Sequence, residues 1–223
     1  MSRHRVASLN IETIVSQPFG ENTYILQLEG RDDVIVVDPG FDTEATETCL
    51  DREVWAPAAI LNTHGHVDHI AGNAALKQRW PSAPLIIGEG DAVKLQDAGR
   101  NLSADFGLPV ISPAADQTVC QGEWLEVAGL RLEVRETPGH SAGHVVFVWH
   151  GPEGVVLVLG GDVVFAGSVG RVDLPDGSFE ELLHSIKTQL LTLPDEAWIL
   201  PGHGPVTTVG QERRHNPYLR FIQ

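Results

Sequence analysis

The stretch Leu61-Asn62-Thr63-His64-Gly65-His66-Val67-Asp68-His69 constrains this chain more than any other. It places three histidines and one carboxylate within six residues. Upstream, residues 58–63 form an apolar run of the buried-strand type. Downstream, residues 70–80 have the pattern of a helix, stopped by Pro81. The cluster therefore lies where a strand hands over to a helix. Residues two apart in extended chain point the same way, so His64 and His66 can converge on one point. Asp68 and His69 then project from the first helical turn toward a neighbouring point. One short segment can thus serve two adjacent metal ions.

The same punctuation recurs along the chain. Apolar runs end in glycine-rich sequence carrying His or Asp at Pro138-Gly139-His140-Ser141-Ala142-Gly143-His144, at Leu159-Gly160-Gly161-Asp162 and at Pro201-Gly202-His203-Gly204. Strand ends along a common sheet edge bring such distant residues together. Alternation and apolar runs predict further strands at 10–16, 24–28, 34–37, 85–87, 118–127, 130–137, 145–149, 155–159 and 197–200. The run at 34–37 is apolar throughout, as in a strand covered on both faces. Helices are expected at 42–55, near 89–98 and at 179–191. In the last of these, Ser178 and Glu181 make a capping-box pattern, and Phe179, Leu182, Leu183, Ile186 and Leu190 form one apolar stripe. Residues 99–113 show no period. Both halves run strands then helix, so two facing sheets with helices outside would bury these strands in one α/β domain.

With 15 basic against 30 acidic residues, the net charge is −15. That disfavours a nucleic-acid binder held by counterion release and a polybasic membrane binder. No apolar run reaches the length of a membrane span, and no signal-peptide core follows the basic opening. The two cysteines, Cys49 and Cys120, make no disulfide framework and read as small buried side chains. A cytoplasmic protein acting on a small molecule is the expectation.

Imidazole and carboxylate donors suit zinc, iron and manganese, and the absence of a thiolate argues against a closed structural zinc site. Five histidines and two aspartates in these motifs exceed what one tetrahedral ion needs. The excess points to two divalent ions roughly 3.5–4 Å apart, zinc first, with iron or manganese as alternatives.

On these motifs the chain resembles the metallo-β-lactamase-fold hydrolases, and within them the short bacterial hydroxyacylglutathione hydrolase (glyoxalase II)-like group. The family pattern Thr-His-x-His-x-Asp-His is unbroken at Thr63 to His69, and its later histidine, aspartate and histidine match His140, Asp162 and His203. Residues 162–175 resemble that group closely. The resemblance implies a four-layer αββα sandwich, one domain over residues 1–223, with the site at the edge of two facing sheets. It implies that His64, His66 and His140 bind one metal, that Asp68, His69 and His203 bind the other, and that Asp162 bridges them. Asp162 also weighs against a true β-lactamase, where cysteine or serine is typical. The implied reaction is hydrolysis of an acyl thioester such as S-lactoylglutathione by a metal-bridging hydroxide, which Asp68 helps to orient. Alternatives on the same fold are a mononuclear-iron persulfide dioxygenase and a lactone hydrolase.

Two departures bear on the substrate. In glyoxalase II a basic residue and a tyrosine after the bridging aspartate contact glutathione; Arg171 and Asp173 stand there in this chain. They are candidate substrate contacts, or else a mutual ion pair that orders their loop. Only 20 residues follow His203, too few for the helical C-terminal domain of the full-length enzymes. Of the remaining candidates, His144 reads as a hydrogen-bonding residue rather than a ligand. Asp38 reads equally as a residue orienting a histidine or as a turn cap. His184 reads as solvated, and His4, His150 and His215 belong to no motif.

Overall fold

The computed structural model describes residues 2–220. Strands β1 (Ser2–Val6), β2 (Leu9–Ser16), β3 (Glu21–Leu28), β4 (Asp33–Val37), β5 (Ala56–Asn62), β6 (Leu85–Gly88) and β7 (Gln117–Val119) form one sheet in chain order. Its first four strands are antiparallel, and β4 to β7 are parallel. A second sheet contains β8 (Trp124–Val127), β9 (Leu130–Glu136), β10 (Val145–His150), β11 (Val156–Gly161), β14 (Trp198–Pro201) and β15 (Thr207–Thr208), in the order β15-β14-β11-β10-β9-β8. The short pair β12 (Val164–Phe165) and β13 (Ser168–Val169) follows Asp162. Helices α1 (Thr43–Glu53), α2 (Val67–Ile70) and α3 (Asn73–Arg79) belong to the first half, and α4 (Phe179–Ser185) and α5 (Val209–His215) to the second.

Side-chain alternation explains the layers. In β4, Ile35 and Val37 enter the apolar layer between the sheets, while Val34 and Val36 pack outward with Leu50 of α1 and Leu76 of α3. In β10, Phe147 and Trp149 face inward, and Val146 and Val148 face Leu182 and Ile186 on the other side. These strands are apolar on both faces because both faces are covered. The result is the expected four-layer α/β arrangement, helix on sheet on sheet on helix. Among the described residues no helix is long and apolar enough to cross a membrane.

Several local expectations change. The predicted helix at 70–80 is broken after α2. Asn62 Nδ2 donates to the His69 carbonyl at 2.8 Å, and the Gly72 amide donates to the Pro39 carbonyl at 2.8 Å, so tertiary partners replace helical ones. The predicted strand at 118–127 is two strands in different sheets. A turn at residues 120–123, with Glu123 N–H donating to the Cys120 carbonyl, carries the chain across. The segment near 89–98 is a 3-10 helix, Glu89–Gln96. The helix at 179–191 starts with Ser178 Oγ accepting from Glu181 N–H at 3.3 Å, but Ser178 N–H goes to the Gly139 carbonyl at 2.7 Å. That leaves half of a capping box. The helix ends in a π turn, Ile186–Leu190, and Phe179 stays 44% exposed outside the apolar stripe. Strand β1 has no counterpart in the sequence reading, and Cys120 is half-buried where Cys49 is fully buried.

Phe147 is fully buried between the sheets. Phe147→Ala should therefore lower unfolding free energy by about 3–5 kcal/mol, read from the denaturant midpoint at unchanged slope.

Candidate metal centre

The first half of the site begins where β5 ends. Beyond Asn62 the chain turns, and His66 precedes α2 in extended conformation, so that Asp68 and His69 fall in the first helical turn. His140 arrives from the loop between β9 and β10, Asp162 from the end of β11, and His203 from just past β14. Hydrogen bonds within and between the sheets lock these ends together. Val145 N–H donates to the Thr63 carbonyl at 2.8 Å, Gly202 N–H to Gly161 at 2.7 Å, and Asn22 N–H to Gly202 at 2.7 Å. Tyr24 Oη adds a bond to the Pro201 carbonyl at 2.8 Å. Gly202 is required for this closeness: a Cβ there would lie 2.1 Å from Asp162 Oδ1.

All seven residues singled out in the four motifs meet. His66 Nδ1 and His140 Nε2 are 2.9 Å apart, and His140 Nε2 and His64 Nε2 are 3.3 Å apart. Asp162 lies 3.5 Å from His69, His140 and His203. His203 Nε2 is 3.3 Å from Asp68 Oδ2. Among the described residues three donor groups could hold an ion: His64, His66 and His140; His64, His69 and Asp162; and Asp68, His69 and His203.

Hydrogen bonds on the far ring nitrogens assign the tautomers. His140 Nδ1–H donates to the Arg171 carbonyl at 2.8 Å. His64 Nδ1–H donates to Thr63 Oγ1 at 3.1 Å, because that hydroxyl already donates to Asp38 Oδ2 at 2.7 Å. Both Nε2 atoms therefore present lone pairs to the same point, where they repel unless a cation lies between them. His69 Nε2 and Asp162 Oδ1 are buried with no hydrogen-bond partner. A donor set of imidazoles and carboxylates with orphaned buried atoms fits bound divalent metal.

The electrostatics divide the centre in two. Burial, followed by neighbouring imidazoles, pushes His64 well below the usual imidazole range and His66 down to about 3. Burial works against charge on His69 as well, but the carboxylates of Asp162, Asp68 and Asp38 raise it well above its ordinary value. Burial likewise opposes ionisation of Asp162 and Asp68, but His69 together with His203, and with His140 for Asp162, holds both below the usual carboxylate range. One half thus accepts a cation through neutral nitrogen, and the other through negative oxygen.

Asp38 orients a histidine rather than merely capping a turn. Its Oδ2 accepts from His69 Nδ1 at 3.1 Å, and its Oδ1 accepts from Thr63 N–H at 2.7 Å. His144 is not among the three donor groups. Its Nε2 accepts from Asp162 N–H at 3.1 Å and its Nδ1 meets Thr137 Oγ1 at 2.9 Å, so it holds the Asp162 backbone. Arg171 and Asp173 pair with each other in a bidentate bridge of 2.7 and 2.8 Å, and this bond holds the Asp173 carboxyl down at about 2. Both also line a cavity of about 470 Å³ that opens over Asp68, His140, Asp162 and His203.

A buried ionic group behind the site went unread in the sequence. Asp91 and Lys94 lie in the 3-10 helix, a segment whose sequence points only to a helix. Asp91 Oδ2 accepts from Gly65 N–H at 2.8 Å and from Ser141 Oγ at 2.5 Å, and Oδ1 accepts from Gly143 N–H at 2.8 Å. Lys94 Nζ bridges Asp91 at 3.2 Å and Asp176 at 2.6 Å, and reaches Ser141 Oγ. The carboxylate thus ties the loop of His64 and His66 to the loop of His140. The available signal was Gly88-Glu89-Gly90-Asp91 facing Gly143, where a Cβ on Gly143 would meet the Asp91 backbone at 2.1 Å. Fully buried Glu21 belongs to none of the motifs; burial raises its carboxyl well above the usual range, in the field of His69, Asp38 and Asp68.

Two outcomes follow from these contacts. Asp38→Ala should weaken metal retention about 10–100-fold, measured by dialysis against graded chelator. Asp91→Ala leaves two buried amides without an acceptor and takes one of the two carboxylates from Lys94, and should cost about 3–5 kcal/mol in chemical unfolding. Lys94→Met, which leaves Asp91 three hydrogen-bond donors, should cost less.

The sequence profile of the metallo-beta-lactamase superfamily matches residues 16–203. The chain is 34% identical over 213 residues to the hydroxyacylglutathione hydrolase GloC of Haemophilus influenzae, spanning 95% of this chain and 98% of that protein. Among solved structures it is similar to the BLEG-1 B3 metallo-beta-lactamase, at 36% identity and a TM-score of 0.88 over 94% of this chain and 99% of that one. It is also similar to TTHA1623, solved in a di-iron-bound form, at 34% identity and a TM-score of 0.80 over 93% of this chain and 100% of that one. This chain belongs to the metallo-beta-lactamase superfamily.

Proposed function

We propose that this protein is a dinuclear metal-dependent hydrolase of acyl thioesters. The observation that carries this reading is the position of Asp162, one carboxylate within 3.5 Å of both His140 and His203. In this reading His64, His66 and His140 hold one ion, Asp68, His69 and His203 hold the other, and Asp162 is shared. Zinc is the first candidate, with iron or manganese next; TTHA1623 offers a di-iron precedent among similar proteins. When bound, two divalent ions supply Lewis acidity and a water deprotonated near neutral pH.

The chain's own groups do the rest. Asp68 lines the cavity beside His203, where its carboxylate would orient the attacking water. Asp38 and Thr63 keep His69 and His64 aimed inward. A thiol has a pKa of about 8.5, so the leaving thiolate departs without a strong general acid. GloC makes S-lactoylglutathione a natural first substrate. Arg171 and Asp173 flank that substrate as a closed pair, which leaves Arg171 less able to grip an anionic thiol carrier than a free guanidinium would be. Free Cys49 and Cys120 agree with a cytoplasmic setting.

The test is elemental analysis of purified protein beside a thioester-hydrolysis assay. About two metal ions per chain are expected, with turnover lost to chelator and restored by metal. Asp162→Ala should lose both metal and turnover, and Asp68→Ala should lose turnover with reduced metal. One iron per chain, no thioesterase activity and oxygen uptake on glutathione persulfide would replace this reading with the dioxygenase. A β-lactam and an acyl-homoserine lactone belong in the same assay, the former because BLEG-1 is described as a lactamase.

A further inference from the structure

Beside the metal centre lies a second cavity of about 290 Å³, lined by Pro18, Phe19, Phe41, Val67, Phe106 and Leu108, with Ser103 as its one polar side chain. The Ser103 hydroxyl is engaged with backbone, accepting from Val110 N–H at 2.9 Å. The ring of Phe19 stacks on Phe41 at 5.7 Å and meets Phe106 edge-on at 5.1 Å. Phe106 and Leu108 remain 56% and 67% exposed, large apolar surfaces left in water beside a reactive centre.

This cavity adjoins the site. Phe19, Val67 and Phe106 line both it and the larger cavity over Asp162, and Val67 sits between His66 and Asp68 in sequence. Arg171, Asp173, Leu174 and Pro175 line only the larger one. A thioester carbonyl carries two arms, one through carbon and one through sulfur. The site offers them two environments, one charged and one apolar.

We propose that the Phe19–Phe41–Phe106 cavity binds the acyl arm, so that the preferred substrates are thioesters of apolar acids of several carbons or with an aromatic ring, rather than of small hydroxy acids. This inference rests on the thioester reading above. A charged carrier thiol entering this cavity would lose its hydration with no partner, so it stays at the Arg171 and Asp173 end. A lactoyl hydroxyl would likewise go unpaired against aromatic carbon. Each further methylene of an acyl chain, by contrast, displaces water from Phe106 and Leu108.

The test uses the metal-loaded enzyme and glutathione thioesters of acetate, lactate, butanoate and hexanoate. From ~0.8 kcal/mol per buried CH₂, kcat/KM should rise about fourfold per methylene until the cavity is full. Phe41→Trp, which fills the cavity, and Leu108→Asp should each cut the hexanoyl-to-acetyl ratio by about tenfold or more. A flat or falling series with acetyl still hydrolysed overturns the acyl pocket and leaves the thioesterase standing. So does a preference that follows the apolarity of the thiol when the acyl group is held constant. If no thioester is hydrolysed, the functional reading fails and the cavity is judged by calorimetry with acetate and hexanoate, whose carboxylates are alike. Hexanoate binding at least tenfold tighter, and losing that margin in Phe41→Trp, supports an apolar-chain site; equal binding overturns it.

Discussion

The centre depends on two sheets held face to face by one apolar layer. Ile35, Val37, Leu61, Phe147, Leu159 and Leu200 all belong to that layer, and each lies within a few residues of a strand end that leads into the site. Burial of this layer sets the spacing of the sheets, and the spacing sets where the loops after β4, β5, β11 and β14 can meet. The hydrogen bonds from Val145 to Thr63 and from Gly202 to Gly161 then join the strand ends at short range. The histidines and aspartates are therefore positioned by hydrophobic packing several residues away from them.

A second set of interactions holds those side chains against their own repulsion. Lone pairs of His64 and His140 face each other at 3.3 Å, and Asp68 and Asp162 share His203. Asp38, Thr63 and the Arg171 carbonyl fix the ring orientations from behind, His144 holds the Asp162 backbone, and Asp91 ties the two histidine loops together. Supporting bonds of this kind orient ligand side chains toward a bound cation. The walls of the cavity over this centre are less uniform. There the paired charges of Arg171 and Asp173 and the aromatic side chains of Phe19 and Phe106 give the cavity two distinct ends.

What could be read ahead of the structure followed from periodicity and spacing. The apolar runs at β4, β10 and β11 required cover on both faces, and the seven donors after strand ends required a common edge. Those are local properties of the chain, so residue order suffices to reveal them. The failures came where a distant partner replaced a local one. The helix at 70–80 broke because Asn62 and Pro39 took its hydrogen bonds, and the strand at 118–127 divided because its halves pair with different sheets. Cys120 stayed half-exposed at that crossing.

The amino-acid sequence by itself determined the layered α/β architecture and the donor set, because hydrophobic period and ligand chemistry are written residue by residue. Only the tertiary structure decided that Asp38 orients His69, that His144 holds the Asp162 backbone, and that Asp91 and Lys94 lie buried between two loops. It alone decided that Arg171 closes on Asp173, and that Phe19, Phe41 and Phe106 gather beside the metal centre. Each of these is a pairing across the fold. Its free energy depends on which groups are excluded from water together, and that is settled only when the sheets close.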